Sequence, residues 1–166
     1  MQAQALQPAE YEKLRDKIKD IRIAMLTTID QAGDLHSRPM ATQEMDESGS
    51  LWFFTSDESS KISELQRNNK VQISYSSESS DTYVSVSGIA ELVKDRQKID
   101  ELWSDTLKTW FPNGKNDPQI ALLKIELYKA EYWDRPGGKM MTLFEIIKGT
   151  LTGEPDKSMK HEKLGS

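Results

Sequence analysis

A chain of 166 residues with a net charge of −5, no cysteine and two histidines fits one domain, and it excludes disulfides, cysteine metal sites and a three-histidine zinc centre. The acidic balance speaks against a phosphate-neutralising surface, so nucleic acid is not an expected partner. No apolar run nears the roughly 20 residues that span a bilayer, and the N-terminus lacks the basic-then-apolar layout of a secretory signal, so the expectation is a cytoplasmic protein with no membrane partner.

In chain order, Tyr11, Leu14, Ile18 and Ile21 fall at three-four spacing after Pro8, which predicts an amphipathic helix from Pro8 to Ile21. Short β-capable runs follow at Ile23 to Ile29, Leu35 to Met45 and Leu51 to Thr55, separated by turn residues, the pattern of an antiparallel meander. Ser59 and Ser60 before Lys61-Ile62-Ser63-Glu64-Leu65 predict a capped short helix closing at Asn68-Asn69. Val71, Ile73 and Tyr75 alternate with polar residues, as do Val84 and Val86, so both runs read as half-buried strands, the second continuing to Val93. A further helix is predicted from Asp95, with Ile99, Leu102, Trp103, Leu107 and Trp110 on its apolar face, ending at Phe111-Pro112-Asn113-Gly114. Ile120 to Trp133 predicts a long strand, Met140 to Ile147 a last helix. The expected organisation is one domain over 1–152 and a mobile tail over 153–166. The class is mainly β with flanking helices, six antiparallel strands curling into a small barrel.

Residues for side-chain chemistry are scarce. There is no G-x-S-x-G, no phosphate-binding Walker loop and no G-x-G-x-x-G; His161 falls in the tail and His36 beside a polar turn, so a cofactor is the better source of any chemistry. No catalytic residue and no metal ligand is assigned. The stretch WFFTSDESSKISEL ends a strand and opens a helix through hydroxyls and one lysine, a combination that suits a phosphate; an ordinary helix cap with a solvated lysine fits the same spacing. Arg38, followed by a proline that cannot donate to a sheet, reads either as a surface arginine on an edge strand or as a guanidinium facing a planar heterocycle. Trp103 is expected in the core, whereas Trp110 and Trp133 sit at element ends where aromatic side chains line pockets or interfaces.

Together, Ser37-Arg38-Pro39-Met40, WFFTSDESSKISEL, YVSVSGIAEL, LWSDTLKTWFPNGKNDP and ALLKIELYKAEYWD resemble the FMN-binding split-barrel proteins of the pyridoxamine 5′-phosphate oxidase-like family, in their bacterial general stress protein branch. The resemblance spans about residues 10–150. It implies a six-stranded antiparallel split β-barrel and a homodimer with FMN, or FAD, at the subunit interface. By position, Arg38, Pro39 and Met40 would lie along the pyrimidine side of the flavin, Phe53, Phe54 and Thr55 beside them, and Ser56, Ser60 and Lys61 would hold the phosphate. Trp110, Tyr83 and Trp133 would come from the second subunit. The implied function is a flavin-binding stress-response-type protein, with oxidoreductase activity on an unidentified small substrate. The alternatives are a pyridoxamine 5′-phosphate oxidase-type enzyme, or a non-redox module binding flavin, haem or another protein. Two departures weigh against the oxidase: no arginine follows Arg135, so the oxidases' late Arg-x-His motif is missing, and Ser60 stands before Lys61 where those enzymes often carry Arg-Lys.

Overall fold

The computed structural model describes residues 7–134 and the backbone of residues 160–164. Helix α1 (Pro8–Ile18) leads into strands β1 (Ile23–Ile29), β2 (Leu35–Met45) and β3 (Ser50–Ser56), then α2 (Ser60–Arg67), β4 (Lys70–Ser77), β5 (Thr82–Val93), α3 (Arg96–Leu102), a 3-10 turn (Asp105–Thr109), β6 (Ile120–Asp134) and β7 (Lys160–Leu164). All strand pairings are antiparallel. The order β3-β2-β1-β4-β5-β6 closes on itself because β3 also pairs with β6, from Ser50↔Glu126 to Ser56↔Ile120, giving a closed six-stranded barrel. No helix among the described residues is long and apolar enough to cross a membrane.

Period-two alternation explains how the barrel fills. On β1, Ala24, Leu26 and Thr28 point inward while Ile23 and Met25 face out; β5 buries Val84, Val86 and Ala90 and leaves Tyr83, Ser85 and Ser87 half-buried. β3 and the first half of β6 are buried on both faces, which is why they read as unbroken apolar runs. Phe53, Leu123 and Ile125 join Leu26, Ile73 and Tyr75 in the interior, and α1 covers that core with Leu14 and Ile18. Trp52, Phe54, Ile120 and Leu122 instead face a second cluster under α3, with Ile99 and Leu107. Gly88 sits where the β5–β6 register slips; a Cβ there would lie 2.6 Å from Ile125 Cγ2 and 2.7 Å from the Glu126 carbonyl oxygen.

Three expectations are corrected. The first helix stops at Ile18, with Lys19 as its cap, although Ile21 remains buried. The helix expected from Asp95 to Trp110 is two pieces. Asp95 caps α3 by accepting hydrogen bonds from the Gln97 and Lys98 amides, but Trp103 is extended, at φ −66° and ψ 136°, and the chain restarts as the 3-10 turn. At the break, Trp103 packs edge-on against Phe54, ring centroids 5.7 Å apart. Finally, the segment expected as a mobile tail supplies β7, which pairs with the end of β6 from Ala130↔Leu164 to Asp134↔Lys160. The helix expected at Met140 to Ile147 lies outside the described residues.

Candidate functional site

The β2–β3 ladder runs only from Met45↔Leu51 to Thr42↔Phe53, with a register shift between Thr42 and Glu44. Beyond Thr42, β2 follows β1 and β3 follows β6, so the two strands part. The Thr42 amide donates to the Arg22 carbonyl, and by alternation the main-chain groups of Pro39 and Ala41 turn away from β1 toward the gap. Proline is tolerated at that edge because its missing N–H is not needed by β1. The gap widens into a cleft of about 540 Å³, a size typical of small-molecule sites. Its walls are mostly apolar: Ile23, Pro39 and Met40 on one side, Phe54, Leu107, Trp110 and Phe111 on the other.

Polar groups collect where β3 hands over to α2. Thr55, Ser56, Ser59 and Lys61 line this end of the cleft. Lys61 Nζ donates to Thr55 Oγ1 and to Ser59 Oγ, both at 3.0 Å, which leaves one ammonium N–H uncommitted, and no carboxylate pairs with it among the described residues. Burial, and then the Arg38 charge nearby, hold its pKa below the usual lysine value, against the opposing pull of Glu64. Ser59 is the N-cap of α2, yet its hydroxyl is given to Lys61 and not to the helix. The amides of Ser60 and Lys61 consequently carry no hydrogen bond among the described residues, and no acidic side chain occupies the first turn. Free amides at a helix N-terminus, three hydroxyls and an unpaired ammonium form a cradle for an anion.

Arg38 lies behind this cradle, outside the cleft wall. Its Nη1 donates to Thr28 Oγ1 at 2.8 Å, and its Nη2 to Glu64 Oε2 at 2.8 Å, with His36 Nδ1 at 2.7 Å. Thr28 also hydrogen-bonds Glu64, so this carboxylate ties α2 to β1 and β2. Burial alone would raise the Glu64 pKa; the hydrogen bonds from Thr28, Arg38 and His36, with the Arg38 charge, outweigh it and bring the value down to about 2.

Of the residues expected at the site, the cleft brings together Pro39, Met40, Phe54, Thr55, Ser56, Lys61 and Trp110. It does not include Arg38, Phe53, Ser60, Tyr83 or Trp133. Phe53 points into the barrel interior, on the opposite face of β3 from Phe54. Ser60 is the first helical residue and exposed, one position past the serine that turns to Lys61. Tyr83 and Trp133 pair with each other at the far end of β6, thirteen residues from Ile120 and on the order of 40 Å along the strand. Trp110, expected from a second subunit, stands at the cleft of its own chain. Sequence reasoning missed Ile23, Ala41, Gln43, Ser59, Leu107 and Phe111. Two signals were available: Ala41 shares the face of Pro39 and sits opposite Ile23, and Ser59 was already a cap candidate.

Comparison with known proteins decides the family. The family model for pyridoxamine 5′-phosphate oxidase-like proteins matches residues 9–156. The chain belongs to the pyridoxamine 5′-phosphate oxidase-like family. Among curated proteins, this family member is 28% identical over 159 residues to protein bli-3 of Neurospora crassa, covering 86% of this chain and 76% of bli-3. Among solved structures, it is similar to the general stress FMN/FAD binding protein of Xanthomonas citri, at 32% identity and a TM-score of 0.66, covering 88% of this chain and 100% of that one. General stress protein 26 of Bacillus anthracis matches at 25% identity and a TM-score of 0.67, over 74% of this chain and 92% of that one. The closed six-stranded barrel is thus the fold expected for the pyridoxamine 5′-phosphate oxidase-like family.

Proposed function

We propose that this chain is a flavin-binding protein of the stress-response type, holding FMN with its phosphate at the N-terminus of α2 and its ring system along the apolar cleft. The observation that carries the reading is Lys61: a half-buried ammonium that, among the described residues, has no carboxylate partner, beside two helix amides left unpaired by the same residues, at the polar end of an apolar cleft. An ordinary solvated cap would leave the lysine in water and give the serine hydroxyl to the helix; neither is the case here. The name of the Xanthomonas citri relative, a general stress FMN/FAD binding protein, supports the same ligand class.

Thr55, Ser56, Ser59 and Lys61 would hold the phosphate, and the main-chain edge at Pro39 and Ala41, with Gln43, would face the polar rim of the ring. Bound there, a flavin supplies reversible electron transfer, the basis of an oxidoreductase role on a small substrate. The protein's own part is to neutralise the dianion, orient the ring between β2 and the Phe54 wall, and exclude water from it. The reading includes a cytoplasmic homodimer, since Tyr83 and Trp133 would reach a cleft only in another copy. The pyridoxamine 5′-phosphate oxidase activity is not the reading we favour, because Ser60 stands before Lys61 where those oxidases often carry Arg-Lys.

The test is to identify by mass spectrometry what copurifies with the full chain, then to titrate the stripped protein with FMN and with riboflavin. FMN retained in the purified protein, and bound more tightly than phosphate-free riboflavin, is the expected result. A colourless protein that takes up neither overturns the reading.

A further inference from the structure

A second cationic side chain, Arg22, stands beside the cleft, next to its lining residues Ile23 and Trp110. Arg22 closes the chain into β1, its carbonyl oxygen held by the Thr42 amide at the last rung before β2 and β3 part. Its side chain makes no hydrogen bond and no ion pair among the described residues. The guanidinium instead stands over the indole of Trp110, 5.7 Å from the ring centroid. Trp110 lines the cleft and is 55% exposed, and its neighbour on β1, Ile23, also lines the cleft and is 44% exposed.

This arrangement is unusual for the molecule. Trp52, which also has cations over its ring, is buried, and Lys98 and Lys124 there also reach carboxylates. At Trp110 the indole is more than half exposed and the Arg22 guanidinium keeps its donors uncommitted among the described residues. On a chain of net charge −5, an uncompensated arginine at the mouth of an apolar cleft makes the local field favourable to an anion. Guanidinium matches a carboxylate with two parallel hydrogen bonds, and an indole beside an aliphatic side chain favours a flat ring.

We propose that the Arg22, Trp110 and Ile23 end of the cleft is a subsite for a second ligand, a small planar aromatic carboxylate. Its ring lies against the indole and Ile23, and its carboxylate meets the Arg22 guanidinium. Binding of this ligand does not depend on the flavin reading above.

The experiment is calorimetric titration of the full chain, FMN-loaded and stripped, with benzoate and with its neutral counterpart benzamide, using wild type, Arg22→Gln and Arg22→Lys, and scoring flavin retention by absorbance in parallel. Benzoate is expected to bind at least tenfold more tightly than benzamide to wild type, the preference shrinking as salt is raised. Arg22→Gln should erase that preference while retaining flavin, and Arg22→Lys should keep part of it. Equal binding of the two probes, no binding of either, or a preference that survives Arg22→Gln overturns the subsite. Loss of flavin in Arg22→Gln also overturns it, by assigning Arg22 to the cofactor. A wild-type chain that takes no flavin refutes the flavin reading alone, because the stripped protein still scores benzoate against benzamide.

Discussion

Replacing Glu64 with glutamine tests whether one carboxylate fastens α2 to the barrel. Glu64 accepts hydrogen bonds from Arg38 and Thr28, and its side chain and that of Arg38 are only 11% and 14% exposed. Its pKa falls from an ordinary 4.5 to about 2, which corresponds to a ceiling of about 3 kcal/mol of folding stability. Because His36, one of the contributors, is half exposed, we expect about 2 kcal/mol of this to be realised. The sign follows from proton uptake. Above pH 4.5 both the folded and unfolded carboxylates are ionised and the full contribution is present; as pH falls from 4.5 toward 2 the unfolded state takes up the proton first and the contribution is lost. Urea denaturation of wild type and Glu64→Gln should therefore differ by about 2 kcal/mol at pH 7, since the variant also leaves Arg38 without its carboxylate, and the two should converge near pH 2–3. Equal stability at pH 7, or a gap that stays constant down to pH 3, would refute the reasoning.

Three further substitutions probe the cleft and the barrel. Lys61→Ala removes a charge-assisted contact of about 1.5–3 kcal/mol, so FMN affinity should fall by roughly ten- to a hundredfold while riboflavin affinity stays put; a loss shared by riboflavin would sink the phosphate assignment. Gly88→Ala drives a methyl into Ile125 and the Glu126 carbonyl and should cost about 1–3 kcal/mol in chemical denaturation, an unchanged midpoint being the contrary result. Tyr75→Phe strips the Thr42 hydroxyl of its partner at 2.7 Å, just where β2 and β3 separate. A loss of about 1 kcal/mol in the same assay is expected, and a neutral effect would show that the Thr42 hydroxyl finds water instead.

Much of the barrel was legible because strands β1, β4 and β5 are half-buried and alternation marks which side is wet. The helix break at Trp103 was not legible. Ile99, Leu102, Trp103, Leu107 and Trp110 keep helical spacing straight through it, and the tertiary contact of Trp103 with Phe54 at the break has no signature in that spacing. At the cradle, the residue types were readable but not the phase: two adjacent serines fit a cap equally well, and the fold chose Ser59, whose hydroxyl Lys61 takes. Arg38 was readable as a surface arginine or as a guanidinium facing a heterocycle, but not as the partner of Glu64, which lies 26 positions away on α2 and reaches it through the packing of that helix against β1 and β2.

Because β3 leaves β2 after Phe53 but stays zipped to β6 as far as Ser56, the barrel carries an unfastened seam without losing its circumference. Aperture and anchoring chemistry are thereby separable. Residues 39–43 set how wide the opening is, and residues 55–61 set what is held at its base. A designer could retailor the first stretch for a bulkier guest and leave the second untouched, a modularity that a barrel stitched along every strand would not offer.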